Sequence, residues 1–229
     1  MTTDGRVWGP VFADPTPYGV LAPDLRGHGA STREPPFDLD RHLEDVLAVV
    51  DTVAPAVLVG HSFGGLVALT LAQRFPEAVS ALVLVDPAIA LEPPPPDVPL
   101  RWSSLTEARR GYAALLAADT AARGLDWFDE ARVVEADGAV ALPCVDEAVE
   151  AAWGAMLQPP TGPAPDGTIV VRASHGSLLS DASAHGLSAT TIGLACSHDV
   201  PWAAPGALRQ IIDGVVSQVS PIAGFDGSS

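Results

Sequence analysis

The chain has 229 residues, enough for one core domain carrying an insertion. Its formal charge is −16 and it contains no lysine, only scattered arginines. With no basic stripe to neutralise phosphates, nucleic-acid and anionic-membrane partners are not expected.

Tyr18 to Pro23 reads as a short strand that ends in a loop. Asp38 to Val53 places Leu39, Leu43, Val46, Leu47, Val49 and Val50 as an amphipathic helix would. Val57 to Val59 predicts a strand, and Gly60-His61-Ser62-Phe63-Gly64 follows it directly. Glycines two residues either side of Ser62 leave room for a strained turn that pushes the hydroxyl out at the carboxyl edge of a sheet. The helix Gly65 to Phe75 comes next and stops at Pro76. Ala81 to Val85 is a continuous apolar run bounded by Asp86-Pro87, as a strand buried on both faces of a parallel sheet requires. Thr168 to Val171 predicts another such strand, Thr190 to Ala195 a weaker one, and Pro205 to Ser217 a closing helix. Strands alternating with helices mean an α/β fold, a mostly parallel sheet flanked by helices.

One long interruption breaks this alternation. It opens with Glu92-Pro93-Pro94-Pro95-Pro96, closes with Gln158-Pro159-Pro160-Thr161-Gly162-Pro163, and holds predicted helices at Ser104 to Ala122 and Val145 to Leu157. The core is therefore assigned to residues 1–90 and 166–229, and a helical insertion to 91–165. Its large side chains Trp102, Tyr112, Leu115, Trp127, Phe128, Trp153 and Met156 either line a pocket or pack the insertion onto the sheet. Cys144 and Cys196 are too few for a disulfide framework and lack metal-ligand spacing, so both read as buried or half-buried thiols. No apolar run reaches the ~18 residues of a membrane span. The start Met-Thr-Thr-Asp-Gly-Arg is no signal peptide, so a soluble, cytoplasmic protein is expected.

Three landmarks in order resemble the α/β-hydrolase superfamily over most of the chain. They are the loop Ala22-Pro23-Asp24-Leu25-Arg26-Gly27-His28-Gly29-Ala30-Ser31, the serine turn, and Ser197-His198-Asp199-Val200-Pro201-Trp202 before the last helix. The resemblance implies an α/β-hydrolase fold with 91–165 as a helical cap, and a serine hydrolase acting on a small carboxylic ester or related acyl substrate. Ser62 would be the nucleophile, His198 its base, and the Phe63 N–H an oxyanion donor, with no cofactor or metal. A serine hydroxyl attacks only as its proton leaves, which is why an imidazole is needed. Of the other histidines, His28 and His61 sit in motifs where relatives carry a locally bonding histidine, His42 is expected on a helix surface, and His175 and His185 in loops.

The acid is less direct. Most relatives carry it after the strand that is here Thr168 to Val171, and that register places Ser177 there. Asp86 and Asp181 are the substitutes, with Asp86 preferred because it ends the strand beside the serine turn. An aspartate before Pro87 also suits a simple turn cap. Asp199 adjoins His198, so its side chain is expected to point elsewhere.

At the amino end the family pattern is not met. Asp4 to Val11 resembles the helix start that follows the family's His-Gly oxyanion loop, so that loop and about three strands are missing. The expectation is an upstream continuation of Met1, or a sheet closed around the gap, or an unstable product. The alternative function is accordingly a catalytically impaired hydrolase-like protein or truncated product. The sequence sets no oligomeric state.

Overall fold

The computed structural model describes residues 2–53, 55–92, 99–158 and 162–219. The Pro93–Pro96 run and the Pro159-Pro160-Thr161 stretch lie outside the described residues.

Asp4 caps a short 3-10 turn, Gly5–Trp8, by accepting the Arg6 N–H at 3.0 Å. Asp38 does the same for α1 (Leu39–Val50), accepting from the Arg41 N–H. The chain then runs β1 (Ala56–His61), α2 (Phe63–Arg74) and β2 (Val79–Val85). The inserted stretch holds β3 (Arg101–Trp102), α3 (Leu105–Ala113), α4 (Ala121–Ala131), β4 (Val133–Val134), β5 (Val140–Ala141) and α5 (Asp146–Met156). The sheet resumes with β6 (Ile169–Ala173), α6 (Asp181–Gly186) and β7 (Thr190–Leu194), and the described chain ends with α7 (Val200–Ala203) and α8 (Pro205–Gln218).

The main sheet is parallel, in the order β1-β2-β6-β7. Its register sets His61 opposite Val85 and Val85 opposite Val171, so β1 and β2 end level with one another. Alternation along β2 splits its side chains between two cores: Leu82 and Leu84 join Leu66, Leu69 and Leu71 of α2, while Val83 and Val85 join Leu208 and Ile212 of α8. Both faces are covered, which is why this strand reads as an unbroken apolar run. Burying each such Leu is worth about 1.5–3 kcal/mol.

Tyr18 to Pro23 forms no strand, contrary to its pattern; Val20 and Leu21 are exposed and the stretch is irregular. Among the described residues β1 is the outermost strand on that side, and this segment does not pair with its open edge. The stretch predicted as one helix, Ser104 to Ala122, breaks after Ala113 so that α4 can turn back against α3. Phe128 then stacks on Tyr112 at 4.9 Å and meets Trp102 edge-on at 6.2 Å. These aromatics, with Trp127 and Trp202, form a core joining the inserted stretch to α7 rather than an open lining. A three-stranded antiparallel sheet, β3-β5-β4, also lies in this stretch, with strands of two residues each. No helix among the described residues is long and apolar enough to cross a membrane.

Candidate active site

Ser62 stands between β1 and α2 with φ 54° and ψ −121°, a conformation that costs a non-glycine residue about 1–3 kcal/mol. Its backbone is held from β2: the Ser62 N–H donates to Val85 O, and Ser62 O accepts from the Ala88 N–H. The two glycines differ in what they allow. A Cβ on Gly60 would meet Gly64 O at 2.3 Å, whereas one on Gly64 would meet nothing within 4 Å. Gly65 is the second tight position, with Pro87 Cβ 2.8 Å from where its Cβ would be. The Phe63 N–H begins α2 and has no intrahelical acceptor.

Asp86 leaves β2 at the same level as Ser62, with φ 40° and no exposed surface. His198 arrives on the loop between β7 and α7. Its Nδ1 lies 2.6 Å from Asp86 Oδ2 and its Nε2 lies 3.1 Å from Ser62 Oγ. Asp86 accepts three further hydrogen bonds, from the Ala173 N–H, the Ser177 hydroxyl and the Leu178 N–H, at 3.0, 2.6 and 3.2 Å. Burial opposes ionisation of this carboxyl, but the bonds from His198, Ser177 and Ala173 outweigh it and hold the group below the usual aspartate range. An ionised Asp86 fixes the His198 tautomer with its proton on Nδ1, which turns the Nε2 lone pair to the Ser62 hydroxyl.

The structure therefore brings Ser62, His198 and Asp86 together, with the Phe63 N–H beside them on α2. Asp181 is not among them: its side chain is 92% exposed and pairs with Arg172. Ser177, at the register position where an acid was sought, instead donates its hydroxyl to Asp86. Two thiols take no part; burial pushes both Cys144 and Cys196 up to about 11.

Other residues gained roles that the sequence did not suggest. The His61 Nε2–H donates to His198 O at 2.9 Å across the sheet, so this histidine bonds far along the chain rather than locally. Burial, then the nearness of a second imidazole, that of His198, push His61 down to about 3. Asp119 and Arg123 grip the loop and helix around His198, Asp119 accepting the Ser197 N–H and Arg123 donating to Trp202 O, both at 2.8 Å. Asp199 does not point away: its carboxylate comes within 4.8 Å of ring nitrogens of His61 and His198. His42 is fully buried, edge-on to Phe63 at 5.0 Å, and not on the helix surface. Its signal was present, since position 42 falls on the face of Leu39 and Val46 by the i, i+3, i+4 rule. His185 lies in α6 rather than in a loop.

Two surface clefts are lined by other residues, one of about 410 Å³ by Arg172, Asp181, His185 and Thr191 and the other by Arg6, Trp8 and Phe12. Neither lining includes Ser62, His198 or Asp86.

Known proteins are similar to this chain in sequence over part of its length and in fold over most of it. Lipase LipV of Mycobacterium tuberculosis is 43% identical over 94 residues, 40% of this chain and 36% of the lipase. A pimeloyl-acyl-carrier-protein methyl ester esterase of Neisseria meningitidis is 46% identical over 70 residues, 31% of this chain and 27% of the esterase. The matched stretch thus spans well under half the length of either relative. Among solved structures, E-2-(acetamidomethylene)succinate hydrolase superposes with a TM-score of 0.75 at 18% identity, covering 95% of this chain and 88% of its own. An esterase of Mycobacterium tuberculosis gives 0.68 at 20% identity, with 94% and 81% covered. At such identities these two likenesses speak to the fold alone. The model of the alpha/beta hydrolase family matches residues 2–220, and the chain belongs to that family.

Proposed function

We propose that this protein is a serine hydrolase of small carboxylic esters or related acyl substrates, working through Ser62, His198 and Asp86. The observation that carries the reading is the unbroken line from Asp86 Oδ2 to His198 Nδ1 and from His198 Nε2 to Ser62 Oγ. The lipase and esterase names of its partial relatives support the ester as substrate class.

In the proposed reaction Ser62 Oγ attacks the ester carbonyl carbon as its proton passes to His198 Nε2. The carbonyl oxygen gains the charge and the Phe63 N–H donates to it. Collapse breaks the ester C–O bond, and His198 returns the proton to the departing alcohol. Water then attacks the acyl-enzyme, gives its proton to His198, and the acid leaves as Ser62 recovers its hydrogen. Asp86 keeps the imidazole in the tautomer both halves need. These steps use only side chains, backbone and water. Residues 91–165 act as a cap over the site in this reading, and the setting is cytoplasmic.

A second reading, a hydrolase-like chain of weak turnover, is favoured by one observation: β1, which carries the serine turn, is the outermost strand of the described sheet. One experiment separates the two. A fluorophosphonate probe is expected to label the wild type and not Ser62→Ala, with p-nitrophenyl acetate turnover lost in parallel. Equal labelling of both proteins would exclude Ser62 as an activated nucleophile, and labelling without turnover would favour the second reading.

A further inference from the structure

We propose that the mouth of this site binds a divalent transition-metal ion through His61, His198 and Asp199, and that the ion silences the enzyme by occupying His198 Nε2. Binding stands on geometry alone; the silencing rests on the reading of His198 as the base for Ser62.

One potential ligand atom from each of the three residues lies within 4.8 Å of the others, and the two imidazole rings are 4.9 Å apart at 38°. The tautomers favour ligation. A backbone carbonyl only accepts, so His61 Nε2 must carry the hydrogen it gives to His198 O, which leaves the lone pair on Nδ1. His198 gives its Nδ1 hydrogen to Asp86, which leaves the lone pair on Nε2. Each ring is thus oriented through its second nitrogen by a carbonyl or a carboxylate, as metal-bound histidines are.

Asp199 supplies the anion. It stands at the cap position of α7 yet makes no capping bond, and among the described residues its carboxylate has no hydrogen bond or ion pair. It plays no part in the proposed ester chemistry. Two imidazoles and one carboxylate form a nitrogen-rich set suited to Zn²⁺, Cu²⁺, Ni²⁺ or Co²⁺ rather than to Mg²⁺ or Ca²⁺. A tetrahedral shell at ~2.0–2.2 Å from the ion needs ligand atoms about 3.3 Å apart. Rotation of the half-exposed Asp199 side chain can shorten the two separations that involve its carboxylate, and binding draws the two imidazoles together by the remainder. The formal charge of −16 draws cations towards the surface as a whole.

Occupancy has a direct chemical consequence. A lone pair given to a metal cannot take the Ser62 proton, so bound enzyme cannot form the acyl-enzyme. The proposal predicts a reversible, metal-dependent inhibition that chelation relieves.

The test is a calorimetric titration of the whole chain with ZnCl₂, alongside the visible spectrum of the Co²⁺ form and p-nitrophenyl acetate turnover. The proteins compared are the wild type, His61→Gln, Asp199→Asn and Ser62→Ala, each checked for folding by circular dichroism. One equivalent of Zn²⁺ is expected to bind, with affinity falling at least about tenfold in His61→Gln and in Asp199→Asn. Ser62→Ala, which frees His198 Nε2 of its hydroxyl partner, is expected to bind Zn²⁺ at least as tightly as the wild type. Where turnover is present, the Zn²⁺ concentration that halves it should match the binding constant, and EDTA should restore the rate. Wild-type affinity in both His61→Gln and Asp199→Asn, or no Zn²⁺ binding below ~100 µM, where a site would hold about 5.5 kcal/mol, overturns the site. Binding without inhibition overturns the silencing. If Ser62-dependent turnover is absent altogether, the catalytic reading fails while the titration still decides the metal site.

Discussion

Replacing Asp86 with Asn separates the two candidate acids and tests the line of bonds at its buried end. The side chain keeps its size and tolerates the positive φ of this position, so the backbone need not move. What changes is the count of acceptors. Asp86 receives four hydrogen bonds, two on each oxygen, and an amide offers one oxygen only. The Ala173 N–H is backbone and buried and cannot turn away, so the amide oxygen stays with it and with Ser177. The amide NH₂ then faces His198 Nδ1 and the Leu178 N–H. His198 must accept there, its hydrogen moves to Nε2, and the ring presents a donor to Ser62 where a base is required. The same exchange of tautomer in the serine proteases costs about 10⁴ in turnover, or about 5.5 kcal/mol of barrier. The unpaired Leu178 N–H takes about 1–3 kcal/mol from stability, which a domain holding about 5–15 kcal/mol survives. Steady-state kinetics on p-nitrophenyl acetate, with urea unfolding of the same preparations, measures both. Asp181→Ala, on the exposed partner of Arg172, is expected to turn over like the wild type. An Asp86→Asn enzyme within about tenfold of the wild type, or an Asp181→Ala enzyme as crippled as the Asn variant, would refute the assignment.

Three further outcomes are expected. Gly60→Ala should fail to fold, or lose several kcal/mol on the scale of about 1–3 kcal/mol for ordinary overpacking, while Gly64→Ala keeps the wild-type unfolding midpoint; soluble yield and urea curves decide it, and equal behaviour would contradict the 2.3 Å contact at Gly60. Burial pushes His42 down to about 4, so between pH 6.5 and 4 the unfolded chain takes up a proton that the folded one does not, and stability falls as pH falls. His42→Leu should remove up to about 3 kcal/mol of that acid loss, read as the wild-type minus variant difference at pH 7 and pH 4.5, and an unchanged difference would sink the argument. Asp119→Ala frees the Ser197 N–H beside His198 and should lower kcat about tenfold with little change in KM, whereas Asp119→Asn, which keeps an acceptor oxygen, should recover most of it.

The sequence was legible where burial leaves a long one-dimensional trace. β2 and β6 are covered on both faces and show as apolar runs, α1 and α8 carry an apolar stripe, and the position of Asp86 followed from where β2 stops. It was not legible where a partner far along the chain decides. Residues 114–118, Ala-Leu-Leu-Ala-Ala, would continue a helix on propensity, but packing of Phe128 on Tyr112 requires the chain to reverse there. The two-residue strands of the inserted stretch are too short to show alternation. Tyr18 to Pro23 failed in the opposite sense, since its side-chain pattern was strand-like and yet, among the described residues, it pairs with no strand. The anchoring of His198 by His61, Asp119 and Arg123 uses bonds to two backbone carbonyls and one backbone N–H, and backbone groups carry no residue signature.

The position of β1 at the margin of the described sheet puts Ser62 on its least covered strand. Leu58 and Val59 are only half-buried, against complete burial of Leu84 and Val85 on β2. An exposed strand is a poor support for a group that must stay within ~0.5 Å of its working geometry. The support comes from elsewhere. Ser62 exchanges backbone hydrogen bonds with Val85 and Ala88 on both sides of Asp86, so the hydroxyl and the carboxylate are referenced to the same buried strand end. His61 then ties the His198 backbone to the residue before Ser62. Ser62 and Asp86 are thus both located relative to the end of β2, while His198 is held to the end of β1 through His61 and to Asp86 through its ring. That cross-bracing keeps the line of bonds complete where the serine strand is the outermost of the described sheet.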